Sequence, residues 1–127
     1  MAKIALAWAI LYTLVLTFFS LYKISPGFQL GEFTITDKML HTGAYFVLMA
    51  SWSISILLQK EGWLQKNKNL LLIIFFNIAF GIFIEVMQGV LTSYRQPDFF
   101  DVIANTTGVL LAALIFLIFK QKLKVKK

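Results

Sequence analysis

Four long apolar blocks, separated by shorter polar segments, dominate the pattern of the 127-residue chain. Each block is long enough to cross ~30 Å of hydrocarbon as a helix. The last helix is placed to begin near residue 98, because proline at 97 and acids at 98 and 101 are typical of a helix start. The pattern predicts an all-α integral membrane four-helix bundle, a single domain over 1–127, with helices at about 4–22, 39–58, 70–91 and 98–119.

Composition supports the membrane assignment and excludes a soluble domain. Hydrophobic residues make up 59% of the chain and charged residues 14%, with a mean hydropathy of +0.78, whereas soluble domains are about a quarter charged. The first block exceeds the usual apolar core of a signal peptide and lacks a small-residue cleavage site, so we expect a retained helix. The absence of cysteine from the sequence leaves no disulfide or thiolate chemistry.

The basic residues are distributed unevenly between the two sides of this bundle. The N-terminus, the 59–69 loop and the lysine-rich tail from 120 carry nine of them, and the other two loops carry Lys23, Lys38 and Arg95. The positive-inside rule then places both termini in the cytoplasm. The net charge of +6 describes a cytoplasmic rim that faces anionic lipid. We therefore expect the lipid bilayer, and no nucleic acid, as the partner of the basic segments; oligomeric state is left open.

Polar side chains recur on one face of the second, third and fourth helices at 100° per residue. Glu85 lies six residues from Leu91, so ~9 Å below the outer end of its helix. At the same rise of ~1.5 Å per residue, polar residues of the second and fourth helices lie at a similar depth. Polar groups at this depth face the bundle interior. The predicted polar layer contains His41, Tyr45, Glu85, Gln88, Asp101 and Asn105. Asp37 lies one turn above His41, and Lys38, Arg95 and Asp98 rim the layer.

Two interpretations of Glu85 stay open. Charged groups in a membrane helix cost ~2.5–3.5 kcal/mol on an insertion scale, and an interhelical hydrogen bond returns only ~0.6 kcal/mol. The carboxyl group is therefore either one half of a structural pair with His41 or Arg95, or part of a working site. His41 is in turn a polar core residue, a proton partner or a ligand. His41, Glu85, Asp98 and Asp101 could supply metal ligands, but no metal-binding spacing supports this, and we predict no metal site. The cofactor is unknown.

The spacing of these residues resembles a known family. The segments TDKMLHTGAYFVL (36–48) and GIFIEVMQGVLTSYRQPDFFDVIANTTGVLLA (81–112) follow the pattern Asp-Lys-x-x-His-x-x-x-Tyr, Glu-x-x-Gln and Arg-x-x-Asp-x-x-Asp-x-x-x-Asn-x-x-Gly of the VanZ-like family. The resemblance implies a small, multi-pass protein of the bacterial plasma membrane. The family is named for an accessory product of glycopeptide-resistance clusters that is associated with reduced teicoplanin susceptibility.

Three functions follow as hypotheses, and whether the protein is an enzyme stays open. The first is an outward-facing site that binds or modifies an amphiphilic ligand of the cell envelope, lipid-linked or lipoglycopeptide. The second is a structural or partner-binding membrane protein without catalysis, and the third is a dimeric proton-coupled transporter. For the first hypothesis the candidate catalytic residues are His41, Glu85 and Asp101. Its candidate substrate-binding residues are Asp37, Lys38, Tyr45, Gln88, Arg95, Asp98 and Asn105.

Overall fold

The computed structural model describes residues 1–21, 29–30, 33–34, 37–60, 62–64, 66–91 and 99–120. Within them lie four helices, α1 (Ala2–Leu21), α2 (Asp37–Gln59), α3 (Asn67–Leu91) and α4 (Phe99–Phe119). The strands β1 (Gln29–Leu30) and β2 (Phe33–Thr34) pair antiparallel between α1 and α2. Each helix is long and apolar enough to cross a membrane, so the predicted four-helix bundle is confirmed.

The first three helices start two or three residues earlier than predicted, whereas α4 starts one residue later. α3 begins at Asn67, three residues before the apolar block, where the Leu70 amide donates to the Lys66 carbonyl at 3.1 Å. The Asn69 side chain, itself buried, donates to the Trp63 carbonyl at 2.7 Å and fixes the preceding turn. Hydropathy reports where a helix lies in hydrocarbon, whereas its backbone hydrogen bonds continue into the polar interface.

Contacts between helix ends define the directions of the helices. Gln88, near the end of α3, bonds Ser20 near the end of α1, so these two helices run in parallel. Lys120, just beyond α4, bonds Asn67 at the start of α3, so α4 runs the opposite way. We call the end that holds the last turns of α1 and α3 and the first turns of α2 and α4 the polar end. The opposite end, which holds Met1 and Lys120, is the terminal end.

The most extensive helix contact joins α2 and α4, and a glycine makes it possible. A Cβ atom on Gly108 would collide with the carbonyl oxygen of Thr42 and lie 2.8 Å from the Phe46 amide nitrogen. Ala104 and Ala112, one turn to either side, are also buried. The small residues therefore let the two backbones approach closely, as expected of a small-xxx-small row.

Hydrogen bonds from aromatic side chains join α1 to α2. They run from Trp8 Nε1 to Ser51 Oγ (3.0 Å), from Tyr12 OH to the Ala44 carbonyl (2.6 Å) and from Trp52 Nε1 to Thr13 Oγ1 (2.9 Å). The outward face of α1 presents large apolar side chains such as Leu14 and Phe18. This arrangement suits a helix at the lipid boundary, because the donors that hydrocarbon cannot satisfy point inward.

Candidate functional site

The polar end of the bundle encloses polar side chains from three helices. Those more than nine-tenths buried are Tyr45 of α2, Glu85 and Gln88 of α3, and Asp101 and Asn105 of α4. The His41 side chain is 13% exposed. Each predicted member of the polar layer therefore lies inside the bundle, where burial without partners would be costly.

Asp101 and Lys38 form an ion pair across the α2–α4 contact. The Lys38 ammonium meets Oδ1 of Asp101. The aspartate side chain is only 6% exposed and the lysine side chain is 43% exposed. Lys38 therefore connects a buried carboxylate to the surface of the polar end. The sequence placed Lys38 at the rim but did not identify its partner.

His41 lies between Asn105 and Asp101 and contacts both from α2. Its Nδ1 is 2.9 Å from Oδ1 of Asn105, and its Nε2 is 3.8 Å from Oδ2 of Asp101. A hydrogen bond to the amide oxygen holds the proton on Nδ1, with the amide orientation assigned from hydrogen bonding. Nε2 then faces the Asp101 carboxylate at a distance too long for a hydrogen bond.

Tyr45 joins this group to Glu85 on α3. Its hydroxyl is buried and has no hydrogen-bond partner among the described residues, and it lies within electrostatic range of the Glu85 carboxyl group. A Cβ atom on Gly81 would lie 3.1 Å from the Tyr45 ring and 3.3 Å from the Asn105 Cβ. Gly81 thus lets α3 approach both α2 and α4, which brings Glu85, one turn further on, into the polar layer.

Gln88 connects the polar layer to α1. Its Nε2 donates to the Ser20 carbonyl oxygen at 2.7 Å. Ser20 lies in the last turn of α1, where carbonyl groups lack a partner within the helix. The side chain is 1% exposed. Gln88 therefore anchors the end of α1, a contact that sequence spacing on the third helix did not indicate.

Some predicted site residues cannot be placed in this geometry. Arg95 and Asp98 lie outside the described residues, as does the side chain of Asp37, whose backbone begins α2. Within the described part of the chain, no three His, Asp or Glu side chains lie close enough to hold a metal ion.

The contribution of α1 was not predicted, because the polar stripe was recognised only on the second, third and fourth helices. Tyr12 lies beside the site, since its hydroxyl bonds the Ala44 carbonyl and it is within electrostatic range of Tyr45. A signal was present: Trp8 and Tyr12 are four residues apart, so their polar tips share one helix face.

Comparison with known proteins identifies a family over nearly the whole chain. No curated protein and no solved structure matches at a significant level. A family model described as VanZ/LLP1 matches residues 6–120, from the first turns of α1 to the end of α4. The match includes every residue of the polar layer and most of α1, and it agrees with the resemblance that the motif spacing indicated. The chain therefore belongs to the VanZ/LLP1 family.

Proposed function

We propose that the polar layer binds the anionic head group of an amphiphilic ligand at the outer face of the bacterial plasma membrane. The observation that carries this proposal is the buried Asp101 carboxylate, which is paired with Lys38 and lies 3.8 Å from Nε2 of His41. Ionisable groups inside a membrane domain are costly, and they mark ligand sites or proton relays by default. The charge bias of the loops supports an outward-facing polar end, with both termini in the cytoplasm.

The predicted site residues divide into those for recognition and those for proton transfer. Lys38 and Arg95 would contact a phosphate or carboxylate, arginine by a bidentate fork. His41 and Glu85 would exchange a proton with the bound ligand, while Asp101 and Asn105 orient the imidazole. Should a reaction follow binding, acid–base transfer on a lipid-linked or lipoglycopeptide ligand is the chemistry that these groups support.

The structural alternative explains less of this arrangement. Neutral hydrogen bonds hold α1 to α2, so joining helices does not require a buried ion pair. The transporter alternative needs a polar path through the bundle. Asn77, buried deeper along α3 than Glu85, donates to the Ile73 carbonyl of its own helix at 2.8 Å, which gives no support to such a path.

Teicoplanin susceptibility of a bacterial host tests the proposal. We expect expression of the wild-type chain to reduce susceptibility and both His41→Ala and Glu85→Gln to abolish this effect at equal membrane abundance. Thr107→Ala, on an exposed position of α4, serves as the control and should retain the effect. Retention of the effect in both site variants would contradict the proposal.

Labelling of single cysteines tests the orientation, since the chain has no cysteine of its own. Gly62→Cys lies in the α2–α3 turn and Phe99→Cys at the exposed start of α4. We expect a membrane-impermeant thiol reagent to label residue 99 in intact cells and residue 62 only after permeabilisation. The reverse pattern would place the polar layer on the cytoplasmic side.

A further inference from the structure

An apolar cavity of about 380 Å³ lies between α1, α2 and α3, towards the middle of the bundle. Its walls include Trp52 of α2 and Ile73, Phe76 and Phe80 of α3. Phe76 is 59% exposed, so the cavity reaches the lipid-facing surface of the bundle. Its volume is within the range of small-molecule sites, which is ~300–1,000 Å³.

The polar residues that line this cavity are engaged elsewhere. The Thr13 hydroxyl donates to the Ala9 carbonyl at 2.7 Å and accepts from Trp52 Nε1 at 2.9 Å. The Asn77 amide donates to the Ile73 carbonyl. A water molecule needs two to four polar partners to be stable in a cavity. The lining therefore suits an apolar occupant, and in a membrane protein an acyl chain can enter from the side.

The cavity adjoins the polar layer along the helix axis. Phe80, in its wall, packs against Tyr45 with ring centroids 6.2 Å apart, and a Cβ atom on Gly81, one helical turn before Glu85, would lie 3.1 Å from the Tyr45 ring. At 1.5 Å per residue, Glu85 is ~7.5 Å beyond Phe80, and the wall from Phe80 to Ile73 extends ~10 Å further towards the terminal end. Polar groups near one membrane surface are thus followed by an apolar space towards the membrane centre, which is the order of head and chain in a lipid of that leaflet.

We propose that the ligand of the polar layer is a membrane lipid, with its anionic head group at Lys38 and His41 and an acyl chain in this cavity. The inference rests on the proposed function. It adds the location of the acyl chain and the side from which the ligand enters. A head group alone would leave the cavity without a role, and an acyl chain alone would leave Lys38 and His41 without one. The head group and the chain are therefore recognised together.

The structure also contains an internal comparison. A second cavity, of about 400 Å³, lies between α1 and α2 and extends from Phe46 to Met1 at the terminal end. Its lining includes Ile54 and Trp8. Neither Tyr45 nor Glu85 lines it, so filling this cavity should not affect the polar layer.

Tryptophan fluorescence gives the test, because Trp52 lines the first cavity. With Trp8 and Trp63 replaced by phenylalanine, the full chain in mild detergent is titrated with phosphatidylglycerol that carries brominated acyl chains. We expect saturable quenching of Trp52. Ile73→Phe, which fills the cavity, should weaken apparent affinity about tenfold, equivalent to ~1.4 kcal/mol. Ile54→Phe, the same change in the second cavity, should leave it unaltered.

Variants of the polar layer separate this inference from the proposed function. We expect His41→Ala and Lys38→Ala to weaken quenching, and brominated phosphatidylcholine to quench less than the anionic lipid. If these variants weaken binding but Ile73→Phe does not, the polar layer binds the lipid and the inference fails. If Ile73→Phe weakens binding and the polar variants do not, the cavity holds the acyl chain of a lipid whose head group does not contact the polar layer. This result also overturns the inference. No saturable quenching by either lipid would reject a membrane-lipid ligand.

Discussion

The α1–α2 and α2–α4 contacts are two ways of joining helices inside a membrane. The described hydrogen bonds between α1 and α2 link neutral groups, with indole and phenol donors on serine, threonine and carbonyl acceptors. The α2–α4 contact instead combines a close glycine crossing with the Lys38–Asp101 ion pair and the His41–Asn105 hydrogen bond.

The comparison distinguishes contacts that only hold helices together from contacts that involve ionisable groups. Neutral hydrogen bonds in membranes contribute ~0.6 kcal/mol each and avoid the cost of a buried charge. The α1–α2 contact shows that this chain can hold helices together in that way. The ionisable groups between α2 and α4 are therefore in excess of what helix association needs, which is the physical argument for a site at the polar end.

The largest effect on stability is expected for Gly108→Leu. Its Cβ atom would collide with the Thr42 backbone and lie 2.8 Å from the Phe46 amide nitrogen. Because the overlap is with backbone, α2 and α4 must separate, at a cost above the ~1–3 kcal/mol typical of an overpacked core. Size-exclusion chromatography and thermal unfolding in mild detergent measure the loss of folded protein. Gly43→Leu is the matched control, since nothing lies within 4 Å of a Cβ at this position. Equal stability of both variants would contradict the close crossing.

A smaller loss is expected for Lys38→Met, which leaves the Asp101 carboxylate buried without its ammonium partner. Because the lysine side chain is 43% exposed, we expect ~1–3 kcal/mol rather than the full penalty of a broken buried pair. A double-mutant cycle with Asp101→Asn in thermal unfolding measures the coupling. The double variant should be more stable than the sum of the single effects predicts; strict additivity would exclude an energetic ion pair.

A loss of only ~0.6 kcal/mol is expected for Trp8→Phe, which removes one neutral hydrogen bond, to Ser51, and keeps most of the ring. The same thermal measurement detects it, and the teicoplanin phenotype should be unchanged. A loss as large as that of Lys38→Met would show that neutral and charged contacts contribute alike, and it would remove the distinction between the two regions.

The smallest effect on stability, with the largest on function, is expected for Glu85→Gln. The change keeps the shape of a side chain that is 3% exposed and removes the cost of an ionisable group in the bundle. Melting at or above the wild-type temperature, with loss of the susceptibility effect, is expected of a residue kept for function. A clear loss of stability would instead identify a structural pair.

Much of the fold was predictable because the residues of each helix by themselves predict that helix. Apolar blocks of about 20 residues are recognised without knowledge of their neighbours, and the stripe at 100° per residue already placed Glu85, Asp101 and Asn105 inside the bundle. Helix ends were less predictable: hydropathy missed the start of α3 at Asn67, because hydrogen bonds in the turn extend the helix beyond hydrocarbon.

Contacts between helices were the least predictable part of the site. The structure pairs His41 with Asn105 and places its Nε2 3.8 Å from Oδ2 of Asp101, contacts that the sequence did not predict. It also brings the Tyr12 hydroxyl of α1 to the carbonyl of Ala44, the residue before Tyr45. Such pairings depend on the rotation and separation of whole helices, which close approaches at Gly81 and Gly108 determine.

The sequence by itself determined that this chain is a membrane bundle with polar groups buried towards one end, because hydrocarbon imposes the same requirement on each helix separately. Only the tertiary structure decided that Asp101 pairs with Lys38 and lies beside His41, and that an apolar cavity adjoins the polar layer. The physical reason is that a distance between two helices is a property of neither alone: it follows from side-chain packing across the contact, where a single Cβ atom at Gly108 would change it.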